Sequence, residues 1–200
     1  THLPTLGRNA RNEFFLCHIA NAKWFDIDEI SDKSSRLPHT MPTADVFQSH
    51  MQELGLNNED HAIIYCNSVF LSAARAWWML RFFGHERVSV LSGGLKSWLS
   101  IGGITASGPV EKIKKGDFTV GPAVGAQIIS FDSLRRLIET GDAGQIADAR
   151  SSNRFKGIDP EPRPGLRGGH MDGASNVPIS KLINILINID FCSIIWALLE

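Results

Sequence analysis

Three cysteines, one tyrosine and a net charge of −1 in 200 residues deny this chain several kinds of chemistry. Cys17, Cys66 and Cys192 lie far apart, and no two stand at the spacing of a zinc site or a redox pair. An odd, sparse set of thiols excludes a disulfide scaffold and fits a reducing compartment. The 20 basic residues are matched by 21 acidic ones and are dispersed along the chain. Bulk charge therefore implies no nucleic-acid partner. A membrane-spanning helix needs ~20 consecutive apolar residues. The most apolar stretch, 182–199, is divided by Asp190. It reads as an irregular or buried end, with sequence foreign to the domain as the alternative and a membrane anchor disfavoured. In either case its β-branched apolar run is an aggregation liability.

What is present is the rhythm of an α/β protein. A hydrophobic content of 43% suits a packed core. Thr43 stands as an N-cap before a helix carrying Val46, Phe47, Met51 and Leu54 on one side and ending at Gly55. An apolar strand follows at 62–65, then a loop over 66–71, and then a helix at 72–83 closed by Gly84. A second strand covers 87–91, and after Gly93-Gly94 a short helix covers 95–101. Strand and helix alternating at these lengths predict a parallel sheet. Residues 105–126, rich in Gly and Pro, read as a linker. The α/β rhythm then restarts, with Ser130 capping a helix at 131–140 and a strand at 145–149. Trp77-Trp78 with Met79, Leu80, Phe82 and Phe83 reads as a core helix apolar on two sides.

A short motif also recurs. Glu13-Phe14 leads to His18-Ile19-Ala20, and Arg154-Phe155 leads, after an insertion, to His170-Met171-Asp172-Gly173-Ala174. The long period indicates two tandem domains rather than a solenoid, whose repeats run to ~20–50 residues. Both histidines read as structural. If the second copy kept the spacing of the first, its counterpart of Cys66 would fall beyond Glu200.

Three sets of residues carry chemistry. Cys66 ends a parallel strand before a helix, where open α/β sheets bind ligands and where amide dipoles favour a thiolate. The bland alternative is an inert, part-buried thiol. The loop that follows, Asn67-Ser68-Val69-Phe70-Leu71, has no glycine to turn its amides inward. It also lacks the arginine that a cysteine phosphatase needs at position 72, which is Ser72. Arg150, Arg154, Arg163 and Arg167 lie in a stiff Gly/Pro-rich segment. Their spacing is equally compatible with bidentate capture of a small carboxylate and with ordinary ion pairing to Asp148, Asp159 and Glu161. Asp28 and His39 form the third set. His39 sits in a loop where it could orient a reacting group or simply bond to backbone.

The chain resembles the two-domain rhodanese-type sulfurtransferases, close to the mercaptopyruvate sulfurtransferases. The resemblance rests on Gly-Arg-Asn-Ala-Arg (7–11), Phe-Asp-Ile-Asp-Glu-Ile-Ser-Asp (25–32), Leu-Pro-His (37–39), Phe-Leu-Ser-Ala-Ala-Arg-Ala-Trp-Trp-Met (70–79), Gly-Gly-Leu-Lys-Ser-Trp (93–98), Arg-Phe-Lys-Gly (154–157), Pro-Glu-Pro-Arg (160–163) and Gly-His-Met-Asp-Gly-Ala-Ser-Asn-Val-Pro (169–178). It implies an α/β fold of tandem rhodanese-like domains, with parallel sheets flanked by helices. The expected boundaries are a first domain at 1–104 without its opening strand, a linker at 105–126, a partial second domain at 127–181 and a non-matching tail at 182–200.

In that family a loop cysteine takes sulfur from 3-mercaptopyruvate or thiosulfate, becomes a persulfide, and passes the sulfur to a thiol or cyanide. The resemblance implies no metal and no organic cofactor. Arg154 and Arg163 match the arginines that grip the donor's carboxylate, and Arg163 favours mercaptopyruvate. Asp28 and His39 match a supporting Asp/His pair. Cys66 falls at the first-domain position that corresponds to the nucleophile, and is the candidate nucleophile this chain offers. The family's Cys-Gly catalytic loop has no counterpart in the 200 residues. A truncated, inactive sulfurtransferase is therefore expected, with a non-catalytic rhodanese module for protein interaction as the rival reading. The partners implied are a small-molecule sulfur donor, a thiol acceptor such as thioredoxin or glutathione, and a second copy of the chain through the partial domain. The compartments implied are mitochondrion or cytoplasm.

Overall fold

The computed structural model describes residues 7–67, 72–110, 113–125, 127–162 and 165–186. The chain forms two compact units, Thr1–Gln127 and Ile128–Glu200.

The first unit is assembled around a parallel strand pair. β2 (Ala62–Ile64) runs parallel to β3 (Val88–Val90), with Ile63 opposite Ser89. The crossover between them is α3 (Ser72–Phe82), as a βαβ unit requires. α3 buries Ala73, Ala76, Trp77, Met79 and Leu80, and the Trp77 indole donates to the Val88 carbonyl at 3.2 Å. The helix is a core helix, as its composition predicts, and Trp78 and Phe82 stack on its flank. α2 (Ala44–Glu53) buries Phe47 and Met51. Two details of the expected helix differ. Val46 is exposed, because its place on the helix turns it from the side that holds Phe47 and Met51. Thr43 occupies the N-cap with extended backbone, but its side chain makes no capping bond.

α1 (Ala10–Leu16) is capped by Asn9, whose side chain accepts from the Asn12 amide. β1 (His18–Ile19) pairs antiparallel with β4 (Thr105–Ala106), and α4 (Gly94–Ser100) lies between β3 and β4 in the chain. The antiparallel pair was not anticipated, since two-residue strands carry no readable alternation.

The segment expected to act as a linker is packed on the first unit over residues 105–110 and 113–125. Phe118 is 1% exposed and meets the Phe47 ring edge-on at 6.0 Å. The Gln52 side chain donates to the Phe118 carbonyl at 2.8 Å, and the Phe118 amide donates to the Leu56 carbonyl at 3.1 Å. Gly121 donates to the Phe83 carbonyl and Val124 to that of Arg81. A Cβ at Gly84, whose φ is +90°, would come within 2.6 Å of Gly121, so these two backbones meet only because residue 84 is glycine. One buried aromatic and a ladder of backbone bonds therefore fix a stretch whose Gly/Pro content suggests a free connector.

The second unit starts with α5 (Phe131–Thr140). Ser130 accepts from the Ser133 amide and Gly141 closes the helix at φ +78°, both as expected. β5 (Ile146–Asp148) then runs parallel to β6 (Ala174–Asn176), with α6 (Ser152–Phe155) between them and α7 (Ile179–Leu186) after them. From residue 187 onward the apolar tail lies outside the described residues. No helix among the described residues is long and apolar enough to cross a membrane.

Candidate functional site

The recurrent motif is the same device in both units. The His18 ring stacks on Phe14 at 4.3 Å, and its Nδ1–H donates to the Phe14 carbonyl at 2.7 Å. The His170 ring stacks on Phe155 at 3.7 Å and donates to the Phe155 carbonyl at 2.8 Å. Each clamp joins its histidine to the phenylalanine that follows Glu13 or Arg154.

Arg154 ends a chain of alternating charges. Asp148, at the carboxyl end of β5, accepts from Arg150 Nε at 3.0 Å and from Arg150 Nη2 at 2.5 Å. Arg150 Nη2 also donates to the Gly169 carbonyl at 2.7 Å, and Nη1 donates to Glu161 Oε1 at 2.8 Å. Glu161 in turn accepts from Arg154 Nη2 through Oε2, and from Arg154 Nε at 3.3 Å. The Glu161 side chain is 6% exposed and that of Arg154 is 30% exposed. The pairing thus covers the anion and leaves the cation partly exposed. The hydrogen bond from Arg150 holds the Asp148 carboxyl below the usual carboxylate range. Arg154 does the same for Glu161. Asp148 reciprocally raises Arg150. The ion-pair alternative therefore describes Arg150, with both Asp148 and Glu161, and it describes Arg154 with Glu161. What it misses is that Glu161 is shielded and shared by two guanidiniums, so the pairs form a fixed relay rather than separate surface contacts. Arg163 lies outside the described residues.

Asp28 and His39 are brought together in the first unit. His39 Nε2 lies 2.7 Å from Asp28 Oδ1. His39 has φ +58°, a left-handed conformation rare for a residue with a side chain. Such a conformation costs on the order of 1–3 kcal/mol and persists only where the surroundings over-determine it. The His39 carbonyl accepts from Arg75 Nη2 at 2.9 Å. The Arg75 contact could not be read from the sequence, because a side chain bonding a distant backbone carbonyl leaves no sequence motif.

Cys66 lies two residues past the end of β2, and its carbonyl accepts from the Leu95 amide at 3.2 Å. A Cβ on Gly94 would lie 2.3 Å from that carbonyl, so the Gly93-Gly94 turn is what lets α4 close on the Cys66 peptide. Asn67 is tied to the first helix: its carbonyl accepts from Arg8 at 3.1 Å, and its amide group donates to Glu13 at 3.2 Å. Arg8 and Glu13 are themselves paired at 2.5 Å. Residues 68–71 of the loop lie outside the described residues. Neither Cys17 nor Cys66 is in a disulfide among the described residues, and each is partly exposed.

Comparisons with known proteins agree on one family. The rhodanese-like domain matches residues 8–101. The 3-mercaptopyruvate sulfurtransferase of Escherichia coli (strain K12) is 43% identical over 176 residues, covering 88% of this chain and 62% of that protein. The thiosulfate/3-mercaptopyruvate sulfurtransferase 1, mitochondrial, of Arabidopsis thaliana is 36% identical over 203 residues, covering 92% and 53%. The crystal structure of SseA from Escherichia coli, described as a 3-mercaptopyruvate sulfotransferase with the rhodanese fold, superposes with a TM-score of 0.77 at 38% identity. It covers 91% of this chain and 67% of that one. The chain thus spans about three fifths of the length of the first of these curated relatives and about half that of the second. With its paired parallel strands, its crossover helix and these relatives, the chain belongs to the rhodanese family.

Proposed function

We propose that this chain belongs to a sulfurtransferase that moves sulfane sulfur from 3-mercaptopyruvate, or thiosulfate, to a thiol or cyanide. A cysteine thiolate attacks the donor's sulfur. The carbon–sulfur bond of 3-mercaptopyruvate breaks, pyruvate leaves as its enolate and takes a proton from solvent, and the cysteine becomes a persulfide. An acceptor thiolate then attacks the outer sulfur, forming a new sulfur–sulfur bond and returning the enzyme thiolate. With thiosulfate as donor the leaving group is sulfite.

In this reading Arg154 and Arg163 receive the donor's carboxylate, and Asp28 with His39 supports the reaction. Arg154 suits the role because Glu161 fixes its Nε and Nη2 edge while Nη1 makes no hydrogen bond to a described residue. The Asp148–Arg150–Glu161–Arg154 relay carries no net charge, so Arg154 recognises a carboxylate by directed hydrogen bonds rather than by excess positive field. Cys66 is the thiol of this chain proposed to take up sulfur. Thioredoxin or glutathione suits the acceptor role, and no nucleic acid or membrane enters the reaction. The proposed compartment is mitochondrion or cytoplasm, the first echoed in the name of the Arabidopsis relative.

The observation that carries this reading is the 43% identity to a protein named 3-mercaptopyruvate sulfurtransferase. Intact-mass spectrometry of the chain tests it. Incubation with 3-mercaptopyruvate should add about 32 Da, one sulfur as a persulfide, to Cys66. Reduced thioredoxin or glutathione should then remove it. Absence of both the adduct and released pyruvate would reduce this chain's role to that of a non-catalytic rhodanese module.

A further inference from the structure

Arg75 is the most unusual cation among the described residues. It projects from the first turn of α3, just after the loop that Cys66 opens. It is half-buried, and burial lowers its affinity for a proton. Its Nε is fully enclosed with no hydrogen-bond partner. It forms no ion pair with any carboxylate among the described residues. Its guanidinium lies over the Trp78 ring at 5.0 Å, and Nη2 donates to the His39 carbonyl at 2.9 Å. A buried cation with no counter-ion is expensive to keep. A hydrogen bond that it donates to a neutral carbonyl is charge-assisted and, away from water, strong.

The recipient of that bond is the strained residue. His39 is held at φ +58°, and its imidazole reaches Asp28 at 2.7 Å. The Asp28–His39 contact cannot itself explain the conformation. The Asp28 side chain is 66% exposed, and exposed pairs of this kind contribute little. The loop on either side is tied by the Thr40 hydroxyl, which donates to the Leu37 carbonyl at 2.9 Å, and by the Asp32 amide, which donates to the Thr40 carbonyl at 3.0 Å, but Arg75 is the side chain that bonds the His39 peptide itself.

We infer that Arg75 is a positioning residue for His39: its guanidinium, wedged between the Trp78 ring and the His39 carbonyl, holds the left-handed conformation from which the imidazole meets Asp28. This rests on the reading of Asp28 and His39 as a supporting pair and deepens it. α3 thereby connects the Cys66 loop at its N-terminus to the Asp28–His39 pair. Arg75 touches no reacting atom, so its effect is transmitted entirely through His39.

The test uses the whole chain and needs no catalysis. The 15N resonance of His39 Nε2 is recorded at pH 8 in four proteins: the parent, Asp28→Asn, Arg75→Met and the double variant. Methionine keeps an apolar stem over Trp78 and removes the donor. Asp28→Asn should shift the Nε2 resonance in the parent. The same change made in the Arg75→Met background should have no effect or at most half of it. A shift of equal size in both backgrounds overturns the role of Arg75 and leaves the Asp28–His39 pair standing. No shift in the parent overturns the pair, and Arg75's role with it. Should Arg75→Met fail to fold, a second measurement on the parent decides. The Arg75 guanidinium should show hindered rotation and slow exchange of its Nη2 protons, and a freely rotating, rapidly exchanging group would overturn the inference.

Discussion

The two units use the same Phe–His clamp but place opposite charges beside it. In the first unit the residue before the clamp's phenylalanine is Glu13, joined to Arg8 and Asn67. In the second it is Arg154, joined to Glu161. The means of holding the units together differ as well. All but one of the buried apolar side chains among the described residues lie in the first unit, and Phe47 and Met79 are fully enclosed there. The second unit has only Pro178: α5 buries no residue, and Phe131 is 77% exposed. Its organising feature is instead the Asp148–Arg150–Glu161–Arg154 relay. A scaffold built from packing presents an acidic position tied to the strand-end loop, whereas a scaffold built from ion pairs presents a guanidinium to the surface. One sequence signature thus supports two kinds of local stability and two electrostatic outcomes.

The sharpest way to break this comparison is to cut into each unit at an aromatic. Phe47→Ala should cost the first unit about 3–5 kcal/mol, since a buried ring is lost and a cavity remains. Phe131→Ala should change stability by no more than about 0.5 kcal/mol, as an exposed position does. Urea denaturation followed at Trp77 and Trp78 reads the first effect, and amide exchange across α5 reads the second. Equal costs would mean that the units do not differ in kind.

Glu161→Gln is next in size. It takes the shared anion from Arg150 and Arg154. Residues 146–176 should then exchange amide hydrogens faster while 62–64 remain as protected as before. Loss of protection in both regions would show that the relay stabilises more than its own unit.

Acid should separate the units in the same direction. Asp148 and Glu161 both have carboxyls depressed by their arginines. A depressed carboxyl contributes stability that is present above its ordinary pKa, about 4, and is lost as pH falls through the lower folded value. Exchange from β5 and β6 should therefore rise below about pH 4, ahead of any rise in β2 and β3. The smallest effect expected is association. Phe131, Ile158 and Met171 are all at least half exposed, and exposed apolar surface of this kind favours self-association. Sedimentation velocity should show a concentration-dependent dimer that Phe131→Ser weakens.

Much of the first unit was legible because its elements are periodic. The strands over 62–64 and 88–90 and the helices over 44–53 and 72–82 fall within a residue or so of where apolar spacing and glycine stops put them. Residues 105–110 and 113–125 were not legible as packed chain. Composition reports Gly and Pro, whereas their placement depends on Phe118 finding Phe47 and on backbone bonds to Leu56, Phe83 and Arg81. For the site, Asp28 and His39 could be named from the resemblance, yet the left-handed backbone of His39 and the support from Arg75 could not, since both depend on a contact between distant segments. Glu161 was visible only as one acid among three near the arginines. Its shielding under two guanidiniums comes from the turn that α6 and the following loop make together.

The central claim is that Arg154, fixed by Glu161, receives the carboxylate of the sulfur donor. Its most direct measurement is an NMR titration of the chain with pyruvate, the carboxylate that the donor leaves behind, comparing the parent with Arg154→Ala. The account predicts saturable shifts at Arg154 and its neighbours in the parent, and at least about tenfold weaker binding in the variant, as loss of a hydrogen bond to a charged group entails. Unchanged affinity in Arg154→Ala would contradict it.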